Sequence, residues 1–232
     1  MSPKSNPITT SESVDDYLKA ILELSGVESS RVTTNALAAR LGVRTPSVTG
    51  MLQKLAAQRP VLVRYEKHRG VRLTAAGECR AWELVRRHRL LELFLHDVLK
   101  YSWDEVHDEA ERLEHFISER FEDRIAAILG DPEVDPHGQA IPPKHGAVVR
   151  REEVPLARWP LHTPAAISSV SDRNAAALRE LARLGLMPGI MLTIEQKNPA
   201  ASLAVRLADS TAPIRLSNDL ASYVLVAARP TA

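Results

Sequence analysis

Apolar residues recur at helical spacing through the first half of the chain and give way to short alternating runs in its last third. In the stretch 15–24, Tyr17, Leu18, Ile21 and Leu22 repeat with a period near 3.6, which predicts a first helix ending near Gly26. Thr33 or Thr34 can cap a second helix over 35–41, and Gly42 stops it and permits a tight turn. Thr45-Pro46-Ser47-Val48 opens a third helix with a hydroxyl cap and a proline in the first turn, continuing through Met51, Leu52 and Leu55 to about Gln58. The runs 61–65 and 70–74 read as two strands around Glu66-Lys67-His68-Arg69. Short helices joined through a glycine turn and followed by a hairpin form a winged helix-turn-helix pattern.

A long helical stretch starts at Ala75 and reaches about Leu99, with Trp82, Val85, Leu91, Phe94 and Leu95 as a broad apolar stripe and His88, Glu92 and His96 at i, i+4 and i+8. The next helix is expected to begin at Trp103–Val106 and to run unbroken through Ile117, Phe121, Ile125 and Ile128 to Gly130. Residues 131–146 hold four prolines and two glycines, which predicts a rigid loop or interdomain linker. From about Val148 the pattern is that of a small barrel, with strands at 165–170, 190–195, 202–207 and 223–227, a short helix over 174–184 and a helical corner at 217–220. The expected fold is mainly α with small β parts, in three domains: 1–74, 75–146 with its linker over 131–146, and 147–232.

With 232 residues, 44% of them hydrophobic, the chain is long enough for more than one core. No apolar run approaches the roughly 18 residues of a membrane span, and the N-terminus lacks an apolar signal core, so the expected compartment is the cytoplasm. Cys79 is the single cysteine, which excludes an internal disulfide and a thiolate-rich zinc site. Any metal must be held by oxygen and nitrogen.

The net charge of +1 conceals an uneven distribution. Between Thr33 and Thr74 eight Lys or Arg stand against one acid, Glu66, whereas between Ala75 and Gly130 thirteen acids stand against eight bases. The first imbalance suits a polyanion and the second a cation, although either alone could be a solvated surface. A third helix of this kind fits the major groove of DNA, with Arg44, Thr45, Pro46, Ser47, Thr49 and Gln53 toward base edges or phosphates. Lys54, Arg64, Lys67 and Arg69 are expected on the flanking phosphates. The competing use of such a module is protein contact alone.

The run from His107 to His115 carries the most distinctive chemistry. On a helix, His107, Glu111, Glu114 and His115 share a face, and imidazoles with carboxylates on one face are the material of a divalent-metal site. The alternative is a solvated acidic face. His137 and His145 are either further ligands or, as expected, ordinary linker residues.

These segments together resemble the diphtheria toxin repressor and manganese transport regulator family. The resemblance rests on Asp16-Tyr17-Leu18, on Thr45-Pro46-Ser47-Val48-Thr49, on Arg87-His88-Arg89-Leu90-Leu91-Glu92, and on Val106-His107-Asp108-Glu109-Ala110-Glu111 with Glu114-His115. It runs from about Val14 to Gly146 and continues more weakly to the C-terminus. It implies a homodimeric, metal-activated transcription regulator with a winged helix, a helical dimerisation domain and a C-terminal SH3-like domain.

Carried over by position, the resemblance places Asp16, Glu111, Glu114 and His115 in a primary metal site that controls binding to a palindromic operator. His88, Glu92 and His107 match an ancillary site in the iron-responsive branch, and His88 also matches a ligand of the manganese branch. Asp172 falls near where the iron branch extends a further ligand, while Ser169 replaces another expected acid; a solvent-exposed turn aspartate is the alternative. Asp16 and Glu111 stand where the iron branch has methionine and cysteine, which favours Mn2+ over softer ions. Lys19 replaces an acid of the manganese branch, so a hybrid pair of sites is expected, with Fe2+ as the alternative effector. Neither a membrane nor an organic cofactor is expected as partner. No His-Glu-x-x-His, phosphate-binding glycine loop or nucleophile motif occurs, so an enzyme, in particular a metallohydrolase, is not expected. The remaining rival is a winged-helix regulator that answers an organic ligand or acts without metal.

Overall fold

The computed structural model describes residues 11–26, 30–144, 151–198 and 200–228. The chain divides into two compact units, 1–86 and 87–232. The first holds α1 (Glu12–Ser25), α2 (Thr34–Leu41), α3 (Thr45–Ala57), the hairpin β1 (Val63–Glu66) and β2 (Gly70–Leu73), and the start of α4 (Ala75–Asp97). Leu18, Ile21, Leu37, Val48, Leu52, Leu55, Val63 and Val71 form its core, so the apolar spacing read from the sequence does face inward. Thr33 caps α2 by accepting from the Ala36 amide, and Gly42 closes that helix in the left-handed conformation, where glycine meets no Cβ clash. The α3 cap differs from expectation: Arg44 is the N-cap residue and makes no side-chain cap, while the Thr45 hydroxyl donates to Asn35 Oδ1 on α2 at 3.3 Å.

In the same unit Arg80 on α4 makes two hydrogen bonds to Asp15 on α1, at 2.7 and 3.0 Å. Both side chains are buried, and the paired geometry satisfies charges that would otherwise be costly there.

The second unit begins with the rest of α4 and contains α5 (Val106–Leu113) and α6 (Glu119–Ile128). The unbroken helix expected over 103–130 is therefore two helices. Helix α5 ends at Leu113 with Glu114 as its C-cap residue, and Ser118 starts α6 by accepting from the Phe121 amide. A serine N-cap three residues ahead of an amide offers the backbone a competing partner, and the apolar period alone does not register it. Leu90, Leu91, Leu95, Val106, Ala110 and Ile125 form the core between these helices. Arg87 on α4 donates to Glu122 on α6 at 3.1 Å, both buried, which fixes the helix surface next to His88.

A six-stranded antiparallel sheet completes this unit, in the order β3-β8-β4-β5-β6-β7. Its strands are β3 (Val154–Pro155), β4 (Pro164–Val170), β5 (Met191–Asn198), β6 (Ser202–Leu207), β7 (Ile214–Ser217) and β8 (Val224–Ala227). Helices α7 (Ala175–Arg183) and α8 (Asn218–Ser222) lie in its connections; the short edge strands β3 and β7 were not legible from periodicity. The sheet core, which includes Ile167, Leu178, Leu192, Ile194, Val205 and Val226, also takes in Trp103, from the segment ahead of α5.

Of the two readings of 131–146, a rigid loop or an interdomain linker, the described part 131–144 takes the first. Asp135 Oδ1 accepts from the amides of His137 and Gln139 at 2.8 and 2.9 Å, and a bridge joins Val134 to Ala140, so the segment is a closed turn. Trp103 Nε1 donates to the Pro136 carbonyl, and the Val170 amide donates to the carbonyl of His137, at 2.9 Å each. His137 is fully buried and is no ordinary linker residue; His145 lies outside the described residues.

Gly138 is what lets this turn meet the sheet. It has φ of +82°, and a Cβ there would stand 2.2 Å from the Ser168 carbonyl oxygen. Gly138→Ala is expected to destabilise the second unit by about 2–4 kcal/mol through left-handed strain and overpacking, read as a lower denaturant midpoint.

Candidate metal centre and nucleic-acid interface

In the second unit, the face of α4 that carries His88 and Glu92 looks onto α5, where His107 and Glu111 follow one another at i, i+4. His88 sits between two groups of ligand-capable atoms. Its Nδ1 lies 2.6 Å from Glu114 Oε2, and its Nε2 lies 3.0 Å from Glu92 Oε1 and 3.1 Å from His107 Nδ1. The two imidazoles meet edge to face, with centroids 4.9 Å apart.

Three sets of potential ligand atoms, each within 4.8 Å of one another, result from this packing: His88, Glu111 and Glu114; His88, Glu92, His107 and Asp172; and Glu92, Asp135 and His137. The break after α5 keeps Glu114 at the helix C-cap, fully buried, and His115 Nε2 stands 3.6 Å from Glu114 Oε1. Glu111 is half-buried, 3.9 Å from His107 Nε2. Asp172, from the turn between β4 and α7, reaches within 3.5 Å of His107 Nδ1 and accepts from Gln139 Nε2 at 2.9 Å. Its side chain is only 11% exposed, which overturns the solvent-exposed alternative. The Ser169 hydroxyl donates instead to Glu153. Asp16 is half-buried on α1 in the first unit.

Asp135 is the member that sequence reading passed over, and His137 is the one it weighed as a ligand but expected to be an ordinary linker residue. An Asp-x-His pair inside a proline-flanked turn was the available signal, masked by the compositional look of a linker. Glu92 has no exposed surface, and its Oε2, Asp135 Oδ2 and His137 Nδ1 are buried with no hydrogen-bond partner. Buried polar atoms left in this state cost about 1–3 kcal/mol each, more when charged. Arg89 Nε lies 3.7 Å from Asp135 Oδ2, and a cation held among these three residues, whose ligand atoms lie within 4.8 Å of one another, would answer the remainder. On this ground the donor set fits a divalent ion with oxygen and nitrogen ligands.

The electrostatics agree. Burial opposes charge on His107, but Asp172 and Glu92 outweigh it and raise its pKa to about 10. Burial likewise opposes the Asp172 carboxylate, yet His107 brings it down to about 2. Burial and the neighbouring Glu92 push Asp135 up to about 7, while Glu92, despite burial, is held well below the usual carboxylate range by His88, His107 and His137. Protons, chiefly on His107, thus supply the positive charge beside these carboxylates that a cation would supply in their place. Cation uptake at neutral pH is expected to release at least about one proton, so apparent affinity rises by about one decade per pH unit below the His107 pKa. Calorimetry in buffers of different ionisation enthalpy reads this directly; uptake without proton release would contradict it.

The candidate nucleic-acid face lies in the first unit. Arg44, Pro46, Ser47, Gln53 and Lys54 are exposed on or beside α3, with Thr45 and Thr49 partly covered. Thr49 donates to the Thr45 carbonyl at 3.2 Å. Arg64 and Lys67 are exposed on the hairpin; Arg69 is exposed and pairs with Glu66, which also binds Arg31. The one acid of the basic segment is thus neutralised by two arginines.

Comparison with known proteins gives a consistent picture. Residues 9–71 match the iron-dependent repressor N-terminal DNA-binding domain, 74–143 the iron-dependent repressor metal-binding and dimerisation domain, and 154–228 the FeoA domain. The iron-dependent repressor IdeR of Mycobacterium leprae is 30% identical over 209 residues, 84% of this chain and 88% of that protein. A solved manganese-dependent transcriptional repressor in complex with manganese is similar with a TM-score of 0.86 at 36% identity, covering 93% of this chain and 100% of the other. ScaR with bound Zn2+ is similar with a TM-score of 0.77 at 30% identity, covering 93% and 99%. None of the described helices is long and apolar enough to cross a membrane.

Proposed function

Because this chain belongs to the family of metal-dependent, DNA-binding transcriptional repressors that includes the iron-dependent and diphtheria toxin repressors, we propose that it is a homodimer that represses metal-uptake genes in response to Mn2+. The observation that carries the choice of metal is the donor set. Glu111 and Glu114 supply carboxylate oxygen beside His88, and the single cysteine, Cys79, is exposed on another stretch of α4. Hard oxygen ligands with imidazole suit Mn2+, and the choice over Fe2+ is the first thing to test.

In this reading Asp16, Glu111, Glu114, His115 and His88 form the primary site. Glu92, His107 and Asp172, joined by Asp135 and His137, form the secondary site. The bound ion supplies positive charge and directional ligand bonds that hold these carboxylates together. By the family resemblance Asp16 belongs to the primary set, and metal binding there would favour the spacing at which paired recognition helices meet a palindromic operator. Arg44, Thr45, Pro46, Ser47, Thr49 and Gln53 would serve base and backbone readout, and Lys54, Arg64, Lys67 and Arg69 the phosphates. Repressor relatives, together with the sequence's lack of hydrolase motifs, support a regulator over an enzyme.

Fluorescence anisotropy of a palindromic promoter fragment is expected to show tight binding with Mn2+, weaker binding with Fe2+ and little with the apo-protein. Glu111→Ala should remove the metal stimulation, at least about tenfold in affinity, or 1.4 kcal/mol, while the dimer persists. Stimulation that survives in that variant overturns the primary-site assignment, and equal operator affinity with and without metal supports the metal-independent rival.

The dimer surface is proposed on α6 and the turn before it. Phe121 and Ile128, two helical turns apart, are 48% and 65% exposed, and Phe116 is 76% exposed, within the segment that matches the dimerisation domain. Apolar side chains of this size grouped on one face mark an interaction site. The double variant Phe121→Asp, Ile128→Asp is expected to sediment as a monomer at concentrations where the native chain is dimeric.

A further inference from the structure

His88 and Glu92 each belong to two of the three candidate ligand sets, and His88 is the one that joins the set of Glu111 and Glu114 to the set of Glu92, His107 and Asp172, with a different nitrogen toward each. Nδ1 points at Glu114, 2.6 Å away, and Nε2 points at Glu92 and His107, 3.0 and 3.1 Å away. A neutral imidazole has one lone pair and one N–H, so it can ligate a cation through one nitrogen only while the other donates a hydrogen bond. An ion on Nδ1 therefore obliges Nε2–H to face Glu92 Oε1. The secondary cluster then loses a nitrogen ligand, and its ion must rely on the inner atoms Glu92 Oε2, Asp135 Oδ2 and His137 Nδ1, with Asp172 beside them. An ion ligated by Nε2 has the reverse effect and turns an N–H toward Glu114.

We infer that His88 serves one ion at a time and makes the two sites antagonistic: filling the primary site weakens the secondary one, and the reverse. This rests on the two-site reading above and adds its regulation. The physical basis is the short, buried path Glu114–His88–Glu92, in which all three side chains are at most 5% exposed and the contacts are 2.6 and 3.0 Å. Coupling between binding sites is reciprocal, so the same factor acts in both directions. The consequence is a graded response, in which the second ion joins at a higher metal concentration than the first.

The test is a mutant cycle on Mn2+ binding by the full-length apo-protein, with free Mn2+ counted by electron paramagnetic resonance. The native chain is expected to bind two ions per subunit. Glu111→Ala, which empties the primary site, should tighten the remaining secondary site by about fivefold or more, the lower end of ordinary coupling between sites. Asp135→Ala should remove the weaker ion and identify it as the secondary one. In a His88→Gln background, adding Glu111→Ala should change secondary-site affinity less than about twofold, because the shared ligand is gone. Pulsed resonance should also find one more coupled imidazole nitrogen on the secondary-site ion in Glu111→Ala than in the native chain. Two ions per native subunit, with a secondary affinity that Glu111→Ala leaves unchanged or weakens, would overturn the antagonism and leave the two-site reading intact. Fewer than two ions per native subunit would overturn both. Circular dichroism and sedimentation of each variant separate loss of binding from loss of fold.

Discussion

A carboxylate with no exposed surface is the constraint around which the second unit is arranged. Glu92 faces three imidazoles, and one of its oxygens has no protein partner. Taking such a group from water costs several kcal/mol, and only close opposite charge and hydrogen bonding recover it. The surrounding structure supplies part of that recovery. Helix α4 brings His88, α5 brings His107, and the turn at 131–144 brings His137, each from a separate element. Three buried side-chain atoms that the protein leaves without a hydrogen-bond partner belong to this cluster, and a cation is the simplest group that answers them.

The same constraint explains why the turn and the sheet are ordered as they are. Asp135 holds its own loop closed with one oxygen and directs the other into the cluster, so the loop's shape and the ligand's aim are one feature. Trp103 and Gly138 fasten that loop to the sheet, which carries Asp172 to His107. The C-terminal domain thus contributes to the cluster directly. In the first unit the ordering principle is different: an apolar helical core holds α3 and the hairpin, and Glu66, the single acid between Thr33 and Thr74, is paired with Arg31 and Arg69.

Much of this was legible in the residue order because it depends on local rules. Period and capping identify α1, α2, α4 and α7, glycine marks the helix-turn-helix corner, and charge composition separates a polyanion-binding segment from a cation-binding one. Ligand types at helical spacing on α4 and α5 were visible for the same reason, since positions i and i+4 share a face whatever the rest of the chain does. The break between Leu113 and Ser118 was not visible, because a period of 3.6 continues in phase across it while the Ser118 cap competes for the backbone.

What the sequence by itself determined is therefore the set of elements, their charge and the chemical kinds available, all properties of neighbours along the chain. Tertiary structure alone decided which of these groups meet. His137, 45 residues beyond Glu92 and set in a proline-rich stretch, reads as linker until burial brings it within 3.8 Å of that carboxylate. Asp172 reads as a turn residue until the sheet docks. The reason is physical: a ligand set is defined by distance and by desolvation, and neither is a function of sequence separation.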